Sequence, residues 1–228
     1  EALKYLLQLP TGNAWQLWRD QALFCKELAQ SQDLLLRARR TFAAGGGLWL
    51  MKPEDLLIAT AAQPELIHAM IEVMADWQIK RVEAVLDIGV DIVMHASYYE
   101  TIDYFGGARW DEFCRPFIEN LATICHQAGT QLTMQRSEQN TAQIETLKTL
   151  PIDHSHGLEP GAGQEDMSLL KRQIGDRITL WGGVDTTSLV STASVAQIDT
   201  AVKEAIEICA PGGGFVILPT AWVMDDAP

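Results

Sequence analysis

From residue 34 to the end, short apolar runs alternate with longer amphipathic stretches, and few folds are compatible with that alternation. LLLRARRT (34–41), VDIVMHA (90–96), TQLTMQ (130–135), PIDHSHGLEP (151–160), RITLWGGVD (177–185) and GFVILP (214–219) read as strands. KPEDLLIATA, PELIHAMIEVMADWQIKRVEAVLDIG (64–89), RWDEFCRPFIENLATICHQAG (109–129), TAQIETLKTL, EDMSLLKRQIG and ASVAQIDTAVKEAIEICAPG read as helices between them. In the first two helices an early proline is tolerated at N1, and glycines stop the helices at 89 and 129. Pro116 predicts a kink or a restart inside 109–129. Several strands are apolar on both faces, which requires helices on both sides of a parallel sheet. About six βα units are thus predicted, with no GxGxxG after any strand to favour a dinucleotide fold. The fold class expected is α/β, a (β/α)8 TIM barrel truncated at the N-terminus, with residues 1–228 as one partial barrel domain.

The segment GGGFVILPT (212–220) tests a different idea, a phosphate cradle. Such a cradle runs strand, glycines, helix. Here the order is helix, glycines, strand, so the glycines are expected to stop the helix and turn the chain.

Composition narrows the partners. Thirty acidic against 17 basic residues give a net charge of −13, which disfavours nucleic acid and anionic membranes. Four cysteines lack any CxxC pairing. Cys114 and Cys125 read as lying on one helix, too far apart to bridge. Reduced thiols and a cytoplasmic location are expected. No signal peptide and no membrane-spanning apolar run is seen.

In a parallel α/β fold, ligands meet the C-terminal strand ends. The segments to inspect are therefore 95–103, 135–140, 159–164, 182–188 and 219–226. HASYYETIDYFGG concentrates His95, Tyr98, Tyr99, Glu100, Asp103 and Tyr104, a set suited to stacking on and hydrogen-bonding a planar ligand. A loop packed on its own tyrosines is the alternative. His154 and His156, two apart, face one side of their strand, and Glu159 can add an oxygen. No third ligand is spaced to confirm a metal, and a structural or substrate-contact role is the other reading. Gly182 and Gly183 allow close approach of a ligand or another strand. Asp185, just beyond, suits either proton transfer and N–H acceptance or an N-cap. Arg136, beside Gln135, can fork a carboxylate; a plain surface turn explains it too.

YYETIDYF followed by Trp110, Phe113 and Pro116, then IDHSHGLEP, RITLWGGVD, and ICAPGGGFVILP ahead of DDAP, resemble the uroporphyrinogen decarboxylase superfamily from about residue 50 onward. That superfamily includes the decarboxylase and corrinoid-linked methyltransferases. The resemblance implies a (β/α)8 barrel of which this chain is the C-terminal two-thirds, leaving the family's N-terminal arginine-rich signature outside it. The zinc methyltransferases carry His-x-Cys where this chain has Gln135-Arg136-Ser137, and Trp222 lies where a late Cys or His ligand would be. Neutral Gln and Ser are poor substitutes for thiolate and imidazole, so no metal site and no cofactor are expected.

The resemblance implies cofactor-independent decarboxylation of a tetrapyrrole or related carboxylated substrate. Asp185 and Asp103 would then be catalytic. His95, Tyr98, Tyr99, Tyr104, Gln135, Arg136, Glu159 and Trp222 would bind substrate. The alternatives are a corrinoid-dependent methyltransferase component, relying on His154, His156 and Glu159, and a non-catalytic tetrapyrrole or corrinoid holder. An incomplete barrel exposes sheet edges, so aggregation or a homodimer is expected of the chain alone. Among cations, Arg109, Arg115 and Arg136 lie near strand ends, with Arg115 expected to face solvent.

Overall fold

The structure, a computed structural model, describes residues 2–42, 44–136, 141–161, 165–186 and 192–220. It divides into two compact units, Glu1–Leu132 and Thr133–Pro228.

The first unit opens with α1 (Ala2–Leu6) and α2 (Gly12–Ser31), followed by β1 (Arg37–Thr41) and a 3-10 turn over Ala44–Trp49. Next come α3 (Pro53–Ala62), α4 (Pro64–Ile88), β2 (Ile92–Ala96), α5 (Ile102–Phe105), α6 (Gly107–Phe113) and α7 (Arg115–Gln127). β1 and β2 pair in parallel, with Ala38 opposite Val93 and Thr41 opposite His95. Both prolines expected at helix starts sit in the first turn of α3 and α4. Gly89 ends α4 in the left-handed region at φ 82° and ψ 54°, where a side chain would be strained. Lys26 of α2 donates to the Ile88 carbonyl at 2.8 Å, placing a cation on the negative end of the α4 dipole.

The stretch 109–129 is two helices. The break falls at Cys114, and Pro116 stands in the first turn of α7. Cys114 and Cys125 are therefore not on one continuous helix; both are buried, and neither is in a disulfide. α7 packs through Ile118, Leu121 and Cys125, each fully buried. Each such aliphatic burial contributes about 1.5–3 kcal/mol.

The second unit begins within β3 (Gln131–Gln135) and continues with α8 (Ile144–Thr149), β4 (His154–Leu158), α9 (Met167–Ile174), β5 (Thr179–Val184), α10 (Val195–Cys209) and β6 (Phe215–Pro219). β3–β4, β4–β5 and β5–β6 all pair in parallel. Gln135, His156, Trp181 and Val216 lie in one cross-strand row. Met134 and Leu180, on the opposite face, are fully buried and form the core. The alternation read from the sequence is thus realised as an α/β architecture, with six strands among the described residues.

α10 starts at a capping box, Ser194 with Gln197. It ends just before Gly212, Gly213 and Gly214, which hold φ of +80°, +79° and +67°. Three consecutive left-handed residues demand glycine. Lys171 of α9 donates to the Gly213 carbonyl. The triplet turns the chain from helix into strand, as its order predicts, and is not a phosphate cradle. Among the described residues no single helix is long and apolar enough to cross a membrane.

Candidate functional site

Within the first unit, β2 delivers His95 to a fully buried position. Its Nε2 lies 2.7 Å from Glu100 Oε2, and its Nδ1 lies 3.0 Å from the Thr41 hydroxyl. The other Glu100 oxygen accepts the Gly45 N–H at 2.9 Å, and the Glu100 carbonyl accepts the Trp110 indole N–H at 2.7 Å. Glu100 is itself fully buried. A carboxylate oxygen only accepts, so Nε2 is the donor toward Glu100, while the Thr41 hydroxyl can meet Nδ1 as donor or acceptor. The loops that follow β1 and β2 are thereby tied together through satisfied polar groups.

The tyrosines of this segment diverge. Tyr99 is 55% exposed, while Tyr98 and Tyr104 are half-buried. The Tyr104 ring meets Phe105 edge-on at 5.7 Å, and its hydroxyl is buried with no partner among the described residues. Burial raises the Tyr104 pKa, with Glu54 and Tyr99 adding to it. Asp103 is exposed in the first turn of α5. Arg109 is exposed, and Arg115 is held by Asp111 at 2.7 Å and Glu119 at 3.7 Å.

The second unit collects the polar strand ends. His154 and His156 do face one side, as their spacing requires. The Thr133 hydroxyl lies 2.7 Å from His154 Nδ1. Trp181 stands against both imidazoles, with ring centroids 5.2 Å from His154 and 6.0 Å from His156. Burial lowers the His154 pKa, against a smaller upward pull from Asp153, so the ring is neutral at pH 7. Arg136, nearly buried at the end of β3, donates its backbone N–H to the His156 carbonyl at 2.8 Å. Gln135 is also nearly buried.

Gly182 settles which close approach the glycines allow. A Cβ there would stand 2.5 Å from the Leu158 carbonyl oxygen, so the neighbour is strand β4. Gly183 faces Phe215 and Ala205 instead.

Asp185 follows β5 and is only 4% exposed. Its carboxylate lies against Gly161 so closely that a Cβ at 161 would fall 1.9 Å from Oδ2. Nearby, the Thr220 hydroxyl donates to Glu159 at 3.0 Å and stands 3.5 Å from the Thr186 hydroxyl. This joins the ends of β4, β5 and β6. A second clip joins the segments after β3 and β4: Glu165, nearly buried, accepts the Thr141 N–H at 2.8 Å and its hydroxyl at 2.6 Å.

Gly161, Thr186 and Thr220 fall within the strand-end segments 159–164, 182–188 and 219–226, but nothing in their local sequence marks them out. Thr41, Thr141 and Glu165 carry no local signal; each acquires its role from a distant partner. Ser137, Glu138 and Trp222 lie outside the described residues.

Gln135 and Arg136 do not suit a zinc ion, since an amide is a weak ligand and a guanidinium repels a cation. Among the described residues no three His, Cys, Asp or Glu side chains gather so as to hold a metal. What the second unit offers is a nearly buried carboxylate, a nearly buried guanidinium and an indole flanked by two imidazoles. Such groups can accept N–H donors, hold a carboxylate and stack on a planar ring.

The family model for uroporphyrinogen decarboxylase (URO-D) matches residues 48–226. No curated protein matches the chain. A solved structure, a methyltransferase from Methanosarcina mazei, is similar with a TM-score of 0.73 at 15% identity, covering 91% of this chain and 59% of that one. The present chain therefore spans under two-thirds of that relative. At this identity the likeness speaks for the fold alone, and the fold is the truncated TIM-barrel-like α/β arrangement expected from the sequence.

Proposed function

The chain belongs to the uroporphyrinogen decarboxylase family, and from that premise we propose that it is an enzyme decarboxylating a tetrapyrrole or related carboxylated substrate without a cofactor. The observation that carries this reading is Asp185, a carboxylate nearly withdrawn from water at a strand end. In such surroundings a fixed negative charge interacts far more strongly than in bulk water. Asp185 accepts N–H groups of the substrate ring and stabilises the cation that forms when a ring carbon is protonated. A proton from water or a neighbouring acid adds to the ring carbon. The bond between the side-chain methylene and its carboxylate breaks, CO2 leaves, and the bonding electrons form an exocyclic C=C that discharges the ring cation. Protonation of that methylene and loss of the proton from the ring carbon then leave a methyl group on a restored ring.

Arg136 holds a substrate carboxylate, and Trp181 offers a flat surface. Gln135 and Glu159 supply further polar contacts.

Asp185→Asn keeps the volume of the side chain and removes its charge. Turnover of uroporphyrinogen, followed by chromatographic separation of the decarboxylated products, is expected to fall about 10²–10³-fold. The far-ultraviolet dichroism should not change. Undiminished turnover would remove Asp185 from the reaction.

Methyl transfer is the second reading, favoured by the methyltransferase among similar structures. His154, His156 and Glu159 would then serve the methyl acceptor or a corrinoid. Tryptophan-fluorescence titrations with uroporphyrin and with cobalamin separate the two. Saturable quenching by cobalamin alone transfers the assignment to methyl transfer.

A further inference from the structure

The first unit contains a cavity of about 470 Å³ walled by α2, α4, β1 and β2, a size typical of small-molecule sites. Three of its walls are indoles: Trp15 and Trp18 from α2, and Trp77 from α4. Trp15 and Trp18 stack at 4.9 Å with their planes 27° apart. Arg81, one turn beyond Trp77 on α4, also lines the cavity and holds its guanidinium 4.6 Å from the Trp77 ring centroid.

The charge of this wall runs against the rest of the chain. Acidic residues outnumber basic ones 30 to 17, yet among the described residues lining the cavity there are two arginines, Arg37 and Arg81, and no acid. Arg81 donates from one terminal nitrogen to Gln78 Oε1 at 3.1 Å. It enters no ion pair among the described residues. Burial lowers its pKa, although a guanidinium remains charged at any working pH. A half-buried cation stacked on an indole, beside an apolar space, matches a planar ligand that ends in an anion. The guanidinium forks a carboxylate, and the indoles take the ring.

We infer that this cavity binds an aromatic monocarboxylate of two or three fused rings, its carboxylate on Arg81 and its rings among Trp15, Trp18 and Trp77. The cavity is too small for a tetrapyrrole, and none of its lining residues belongs to the strand-end site proposed for decarboxylation. It is a second, separate ligand site.

The test titrates the full chain with 2-naphthoate and, in parallel, with neutral 2-naphthamide. Tryptophan fluorescence, corrected for inner-filter absorption, reports occupancy, and calorimetry reports stoichiometry. One equivalent of naphthoate is expected to bind, with naphthamide about tenfold weaker or worse. Arg81→Met should weaken naphthoate about tenfold or more and leave naphthamide unchanged. Arg81→Gln serves as the second variant should the first lower the melting midpoint. Ala22→Phe, which fills the cavity, should abolish both signals, while Asp185→Asn should alter neither. Equal affinity for acid and amide, or naphthoate binding indifferent to Arg81, overturns the inference, as does absence of binding.

Discussion

Replacing Gly161 with alanine probes the placement of the Asp185 carboxylate directly. The new Cβ would lie 1.9 Å from Oδ2, 2.4 Å from Cγ and 3.1 Å from Oδ1. Ordinary contact begins at 3.4 Å, so the nearest oxygen must retreat by about 1.5 Å. Asp185 is short and nearly buried, leaving little room to retreat without rotating the carboxylate or displacing the segment after β4. Overpacking of this kind costs about 1–3 kcal/mol. A displacement beyond 1 Å at a reacting group also costs about 10²-fold in turnover.

The stability arm does not depend on any activity. Chemical denaturation of Gly161→Ala, Asp185→Ala and the double variant forms a double-mutant cycle. If the carboxylate is the obstacle, Gly161→Ala is harmful in the parent and close to neutral once Asp185 is alanine. The coupling should be about 1–3 kcal/mol. An equal cost in both backgrounds would show that the carboxylate does not sit against Gly161, and would remove the main support for a buried anion there.

Gly182→Ala, at φ +136° with its Cβ 2.5 Å from a β4 carbonyl, should cost about 3 kcal/mol or more and can prevent folding. Gly212→Ala, at φ +80° in open space, should cost only about 1 kcal/mol; similar melting midpoints would contradict the strand contact. Glu100→Ala strips the acceptor from His95 and from the Gly45 N–H, both buried, and should cost about 3 kcal/mol or more in a urea titration. A loss under about 1 kcal/mol would mean the pair is not internal. Because burial depresses the folded-state pKa of His154, the unfolded chain takes up its proton first as pH falls through about 6.5. The contribution of His154 to stability is therefore present above that pH and lost below it, down to the folded pKa. His154→Gln should flatten this limb of the urea midpoint between about pH 7.5 and 5, and an unchanged slope would refute it.

By itself the sequence determined the alternation of strand and helix, the stops at Gly89 and Gly129, the restart at Pro116 and the turn at the glycine triplet. These obey local rules, because periodicity and backbone freedom act within a few residues. It also placed His154 and His156 on one face, since a strand alternates with period two. Tertiary structure alone decided the roles that depend on distant partners. Glu100 finds the Gly45 N–H 55 positions away, and Thr220 finds Glu159 61 positions away. No pattern in a short window encodes such pairings. The same holds for Gly182, where the sequence left ligand and strand as alternatives until β4 occupied the space. The indole-lined cavity was invisible for the same reason: Trp15, Trp77 and Arg81 share a wall only after α2 and α4 pack on β1 and β2.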